Sequence, residues 1–242
     1  MKAPSVPAAL ALSAVLLSCA LPVLAGVLPP MLPLEIGNHW EYQSLGGDHQ
    51  VETITGTATV LGRAVFVKHY AEGLNAGLEN WWRIGPGGDV QLAGFDRHDG
   101  FSLGYDPPLT FCGASPVLGD LWPTHVVAYD MATMAVYAEF DITFSALEDV
   151  SLSVPAGTFP SIGVGQVLAK AANPVLALRG LALDGRQLKT TPNTIASDAT
   201  DWFSAGVGEV QYRSGDTYLL VSYGYPTPTL TTSWGALKRT YR

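Results

Sequence analysis

The side chains able to do chemistry are five histidines (His39, His49, His69, His98 and His125), two cysteines (Cys19 and Cys112) and 21 carboxylates. No two histidines stand in the i, i+4 arrangement of an HExxH helix, and neither cysteine lies at metal-ligand spacing from another. The one tight polar cluster is Asp96-Arg97-His98-Asp99. A cation or polar substrate would use it, yet the adjoining Asp99-Gly100 marks a solvated turn. A serine hydrolase needs a nucleophile elbow such as GxSxG, and none occurs. Gly163-Val164-Gly165 and Gly206-Val207-Gly208 lack the rest of a dinucleotide fingerprint. No Walker A loop or EF-hand loop is present. A glycosidase pair of carboxylates need not be local, but a chain with this many acids always offers some pair, so that argument decides nothing. The expectation is a protein that is not an enzyme, with no catalytic residue, no metal site and no cofactor.

The aromatic residues are more informative. Trp40, Trp82, Phe111 and Trp122 lie in strand-like or loop-like apolar surroundings and are the candidate ligand-lining residues. Adjacent Trp81 and Trp82 must point to opposite faces of a strand. One therefore turns to the interior, and the other lies outside or beneath another element. Two readings stay open: the rings fill a sandwich-like core, or a curved sheet leaves an apolar hollow that they line.

The elements that would position these rings read as strands almost throughout. Residues 38–44 (NHWEYQS) alternate Trp40 and Tyr42 against His39, Glu41 and Gln43, the period-two signature of a half-buried strand. Gly46-Gly47-Asp48 turns the chain into residues 50–61, dense in Thr and Val, and residues 64–70 (AVFVKHY) form the next strand. Residues 79–84, the breaker Gly85-Pro86-Gly87-Gly88 and residues 89–95 make a hairpin, as do residues 150–154, Pro155-Ala156-Gly157-Thr158 and residues 162–169. Residues 96–124, with Pro107-Pro108, Pro116 and Pro123, read as a long irregular excursion. Residues 131–144 read as a strand, and residues 171–200 as an apolar patch followed by a polar loop. Residues 207–213 and 217–223 form a last pair after Trp202-Phe203. The expected fold is all-β and mainly antiparallel, a strongly curved sheet or incomplete barrel in a single domain.

Composition supports that class. The chain has 242 residues, of which 48% are hydrophobic and only 14% charged, which excludes a disordered polyelectrolyte. The net charge of −8 and the thin supply of Lys and Arg exclude nucleic acid as the main partner. Residues 1–25 read as an export signal, with Lys2 before an apolar run over residues 8–17 that is too short for a lasting anchor. Val23-Leu24-Ala25 before Gly26 suits ordinary cleavage. The alternative is lipid attachment at Cys19, the end of a Leu16-Leu17-Ser18-Cys19 lipobox-like sequence. With Cys19 gone, Cys112 has no intramolecular partner. The β-rich domain is expected over 26–224, followed at 225–242 by a Pro/Thr linker and a short basic-aromatic tail. That tail carries Trp234, Tyr241, Lys238, Arg239 and Arg242, and reads either as a frayed end or as a docking or sorting peptide.

Three segments together carry a resemblance. Leu34-Glu35-Ile36-Gly37-Asn38-His39-Trp40-Glu41-Tyr42 resembles the opening PLxxGNxWxY of small exported bacterial domains of unknown function. Val154-Pro155-Ala156-Gly157-Thr158-Phe159 resembles their mid-chain VPAGTF turn. Trp202-Phe203-Ser204-Ala205-Gly206-Val207-Gly208-Glu209-Val210 resembles their late WFxxGVGxV segment, although Gln211 stands where Lys is common. The resemblance implies a fold similar to the lipoprotein carriers, an incomplete β-barrel with a covered concave side, and a location in the cell envelope. It implies no catalytic residue. The expected function is therefore a non-enzymatic exported envelope β-domain that binds an apolar small molecule or an envelope protein and has no transmembrane anchor when mature. It would be periplasmic, outer-membrane-associated or extracellular. The alternative is a structural or adhesive surface module sorted through its C-terminal tail.

Overall fold

The computed structural model describes residues 29–171, 200–213 and 216–226; the side chains of residues 167–171 are not among those described. The export segment with Cys19, most of residues 171–200 and the tail beyond Pro226 lie outside the described residues. Every regular element described is a strand: β1 (His39–Ser44), β2 (His49–Val60), β3 (Arg63–Glu72), β4 (Glu79–Ile84), β5 (Val90–Asp96), β6 (Ser102–Cys112), β7 (Leu121–Asp130), β8 (Val136–Val154), β9 (Gly157–Ala171), β10 (Thr200–Ser204), β11 (Gly208–Arg213) and β12 (Thr217–Gly224).

Each strand pairs antiparallel with the next, and β1 pairs with β12 from His39↔Gly224 to Ser44↔Tyr218, so the sheet closes on itself as an up-and-down barrel. The curvature expected from sequence thus runs to full closure, which removes both sheet edges. Alternation fixes what faces inward. Trp40 and Tyr42 of β1, Leu103 and Tyr105 of β6, Val126 and Ala128 of β7, and Phe140, Ile142 and Phe144 of β8 are buried in one continuous core. Exposed Gln43, His125, Glu139, Asp141 and Arg213 face out, the reverse of a lipid-facing barrel wall.

Two departures from the sequence expectation have local causes. Residues 96–124 are not one irregular excursion, since they contain all of β6 and the start of β7. Pro107 and Pro108, breakers by residue type, lie within β6. They sit where the β5–β6 register breaks between Leu92↔Leu109 and Gly94↔Gly104, an irregularity that tolerates missing amide donors. Residues 131–135 are a turn, with β8 beginning at Val136.

Trp81 and Trp82 do take opposite faces. Trp82 joins the interior core, whereas Trp81 packs outside with Val60, Val65 and Ala93. A bulge at Thr55, between Ile54↔Lys68 and Gly56↔Val67, reverses the parity of β2 and turns Ala58 and Val60 outward. The β2–β3 hairpin then folds across the outer face of β4–β6, pinned by Arg63 Nη2 to Asp106 Oδ1 at 2.6 Å. The tight fit needs Gly94, whose φ of +144° and missing Cβ leave room for the Leu103 carbonyl and the Trp81 ring.

One rim of the barrel is closed by residues 30–40, the β8–β9 turn and the β10–β11 turn. Gly206 N donates to Pro30 O (2.9 Å), Asn38 Nδ2 to Pro33 O (2.9 Å) and Trp40 Nε1 to Val207 O (2.7 Å). The β8–β9 turn reaches the same rim, where Ala156 N donates to Leu220 O and Phe159 packs on Tyr223.

Candidate functional site

The interior of the barrel is divided by chemistry. On the side formed by β5–β8 it is apolar, and Phe111 forms the hub. Phe111 packs edge-on against Trp82 at 5.5 Å, tilted against Phe144 at 4.6 Å and edge-on against Phe203 at 5.8 Å. On the side formed by β1–β4, β11 and β12 polar side chains are set among the apolar inward residues. Glu52 on β2, Lys68 on β3 and Glu209 on β11 are all buried. Lys68 Nζ lies 2.7 Å from Glu52 Oε2 and 3.5 Å from Glu209 Oε2, and it also sits over the rings of Tyr70 (5.2 Å) and Trp82 (5.7 Å).

A second layer fixes these groups. Gln50 Nε2 donates to Glu52 Oε1 at 2.7 Å, and Asn75 Nδ2 from the β3–β4 turn donates to Gln50 Oε1 at 3.0 Å. Tyr42 donates its hydroxyl to the Glu209 carbonyl (2.9 Å), and its ring meets Tyr212, which stacks on Tyr218 at 4.7 Å. Burial, followed by the charges of Glu52 and Glu209, pushes the Tyr42 hydroxyl well above its usual range, so it remains a donor. Asn80 Nδ2 donates to the Tyr70 hydroxyl at 2.9 Å. Two buried polar atoms beside this cluster, Asn80 Oδ1 and Trp82 Nε1, have no hydrogen-bond partner among the described residues. Asn80 and Trp82 are two apart on β4 and thus share the inward face.

Of the four aromatic candidates, the structure brings Trp82 and Phe111 into contact at the boundary between the two chemistries. Trp40 instead belongs to the closed rim, where its indole is committed to Val207. Trp122 is half-buried at the start of β7, beside Gly113. The Asp96–Asp99 cluster is an ordinary turn in which Asp96 Oδ1 accepts from His98 N and Asp99 Oδ1 from Phe101 N. Among the described residues no group of three His, Cys, Asp or Glu side chains is arranged to hold a metal ion. The polar cluster itself was missed from sequence. Its signal is parity: Gln50 and Glu52 alternate with Ile54, and Lys68 falls between Phe66 and Tyr70, at positions that also point inward.

No protein-family profile matches the chain, nor does any curated protein. Two solved structures resemble it. One is a protein of Parabacteroides distasonis inferred to be a lipoprotein, with 14% identity, a TM-score of 0.36 and coverage of 81% of this chain and 99% of the other. The second is a protein of Bacteroides fragilis inferred to be exported, with a YmcC-like fold, 12% identity, a TM-score of 0.41 and coverage of 81% and 100%. Similarity at this level assigns neither function nor individual residues.

Proposed function

We propose that this chain is an exported, non-enzymatic β-barrel of the cell envelope that binds a small amphipathic molecule inside the barrel. The observation that carries the reading is the junction at Trp82. There an aromatic wall (Trp82, Phe111, Phe144 and Phe203) meets a buried polar cluster with two unsatisfied atoms, Asn80 Oδ1 and Trp82 Nε1. A buried polar atom without a partner costs on the order of 1–3 kcal/mol, and a ligand group that both donates and accepts would offset that cost. Asn80 Oδ1 is an acceptor and Trp82 Nε1 a donor, so the site suits a polar head that carries both an N–H or O–H and an acceptor oxygen. The apolar remainder of the ligand would lie along the Phe111 side. Export is supported by the character of residues 1–25.

The test is uptake of N-phenyl-1-naphthylamine, an apolar fluorophore with one N–H group. The native protein should bind it with enhanced fluorescence, and Asn80→Leu, which removes the Oδ1 acceptor open to the probe's N–H, should weaken binding about fivefold or more. Binding unchanged in Asn80→Leu would place the probe elsewhere and remove the assignment.

A further inference from the structure

We infer that the basic-aromatic C-terminal segment, residues 233–242, docks on an apolar and acidic patch formed by the β6–β7 loop and the outer face of β8. Val117, Leu118 and Leu121 are 62%, 61% and 61% exposed, and Leu147 and Val150 add further exposed apolar surface. Isolated exposed leucines are ordinary, but a contiguous set on a fixed frame is not. The frame is fixed by Gly119 N to Ala146 O (2.8 Å), Ala146 N to Asp120 O (3.0 Å) and the Leu121↔Ser145 register of β7 on β8. The loop and the outer face of β8 also carry Asp120 and Glu148, whose carboxylates accept from Val117 N (3.0 Å) and Trp202 Nε1 (3.3 Å) and keep acceptor capacity to spare, while Asp149, next along the regularly paired strand, points to the other face.

Three observations favour the chain's own tail as the occupant. The described chain ends at Pro226 on the same rim, with Pro226 against Gly37 and the Tyr225 hydroxyl on the Gly206 carbonyl. The β8–β9 hairpin leads from there to the patch, since its tip contacts β12 through Ala156 and Leu220. From Val154 back to Leu147 is about 23 Å of strand, at about 3.3 Å per residue. Trp234, eight residues beyond Pro226, reaches about 26 Å when extended, and the Pro/Thr composition between them favours extension. The chemistry is complementary: Trp234, Leu237 and Tyr241 match the apolar residues, and the cations Lys238, Arg239 and Arg242 match Asp120 and Glu148.

Hydrogen exchange on the full mature chain tests this. Segments 115–122 and 146–151 should exchange roughly tenfold faster in Trp234→Ala/Leu237→Ala than in the native chain, and raised salt should speed exchange in the native chain toward the variant's rate. A chain ending at Pro226 should show the same exposure, and a synthetic peptide of residues 227–242 should restore protection to it. Equal exchange in all three chains, with no effect of the peptide, would overturn the inference. Protection that appears only on adding phosphatidylcholine vesicles, equally with and without the tail, would also overturn it and assign the patch to a lipid surface.

Discussion

Replacing Lys68 by Met removes the one ammonium from the buried cluster while keeping its length and packing. Lys68 is 2% exposed and lies 2.7 Å and 3.5 Å from two carboxylates that are themselves buried. At an effective dielectric of about 20 those separations correspond to roughly 6 and 5 kcal/mol of attraction, opposed by a desolvation cost of several kcal/mol per ion. The intact cluster is therefore near balance, but its broken form is not: Glu52 and Glu209 would face each other uncompensated. We expect a loss of about 3–5 kcal/mol, a large share of the roughly 5–15 kcal/mol that holds a domain folded. In urea, with a slope of about 3 kcal/mol/M, the midpoint should fall by about 1–2 M. Lys68→Met/Glu52→Gln/Glu209→Gln should recover most of the loss, because it removes the stranded charges with the cation. A Lys68→Met midpoint within about 0.3 M of the native one would refute the reasoning, as would a triple variant no better than the single.

Two further outcomes follow from the titratable groups. Burial pushes the Cys112 thiol up to about 12, so thiolate is scarce near neutrality; iodoacetamide should leave it unlabelled in the native barrel and modify it fully in strong denaturant. His125, on the outer wall, is raised above its ordinary 6.5 by its hydrogen bond to Asp141 (2.7 Å), aided by the charges of Asp141 and Glu139. Its small stabilising contribution is thus complete below 6.5 and lost as pH rises through the folded value. Its NMR titration midpoint should lie above 6.5 and return toward it in Asp141→Asn.

Much of the barrel was legible because period-two alternation survives in most strands. β1, the β4–β5 hairpin and the β8–β9 turn follow directly from Trp40/Tyr42, from Gly85-Pro86-Gly87-Gly88 and from Pro155-Ala156. β6 was not legible, because Pro107-Pro108 reads as a breaker unless the partner strand's register is known. Closure was also hidden, since the pairing of His39 with Gly224 joins the two ends of the described strands and leaves no local mark. The candidate site was legible in part. Trp82 and Phe111 meet, but Trp40 resembled them in sequence and instead closes the rim. Glu52 looks like an ordinary surface charge in a Thr-rich strand, Lys68 like one in a Val- and aromatic-rich strand and Glu209 like one beside the glycines of residues 206–208. Only the shared inward parity, combined with closure, places all three in one interior.

The central claim is tested most directly by the native mass of the protein exported from a Gram-negative host and purified without detergent, set against the denatured mass of the same sample. The expected result is a chain beginning at Gly26 whose native mass exceeds its denatured mass by one small amphipathic molecule. A native mass equal to the denatured mass in every charge state would contradict it.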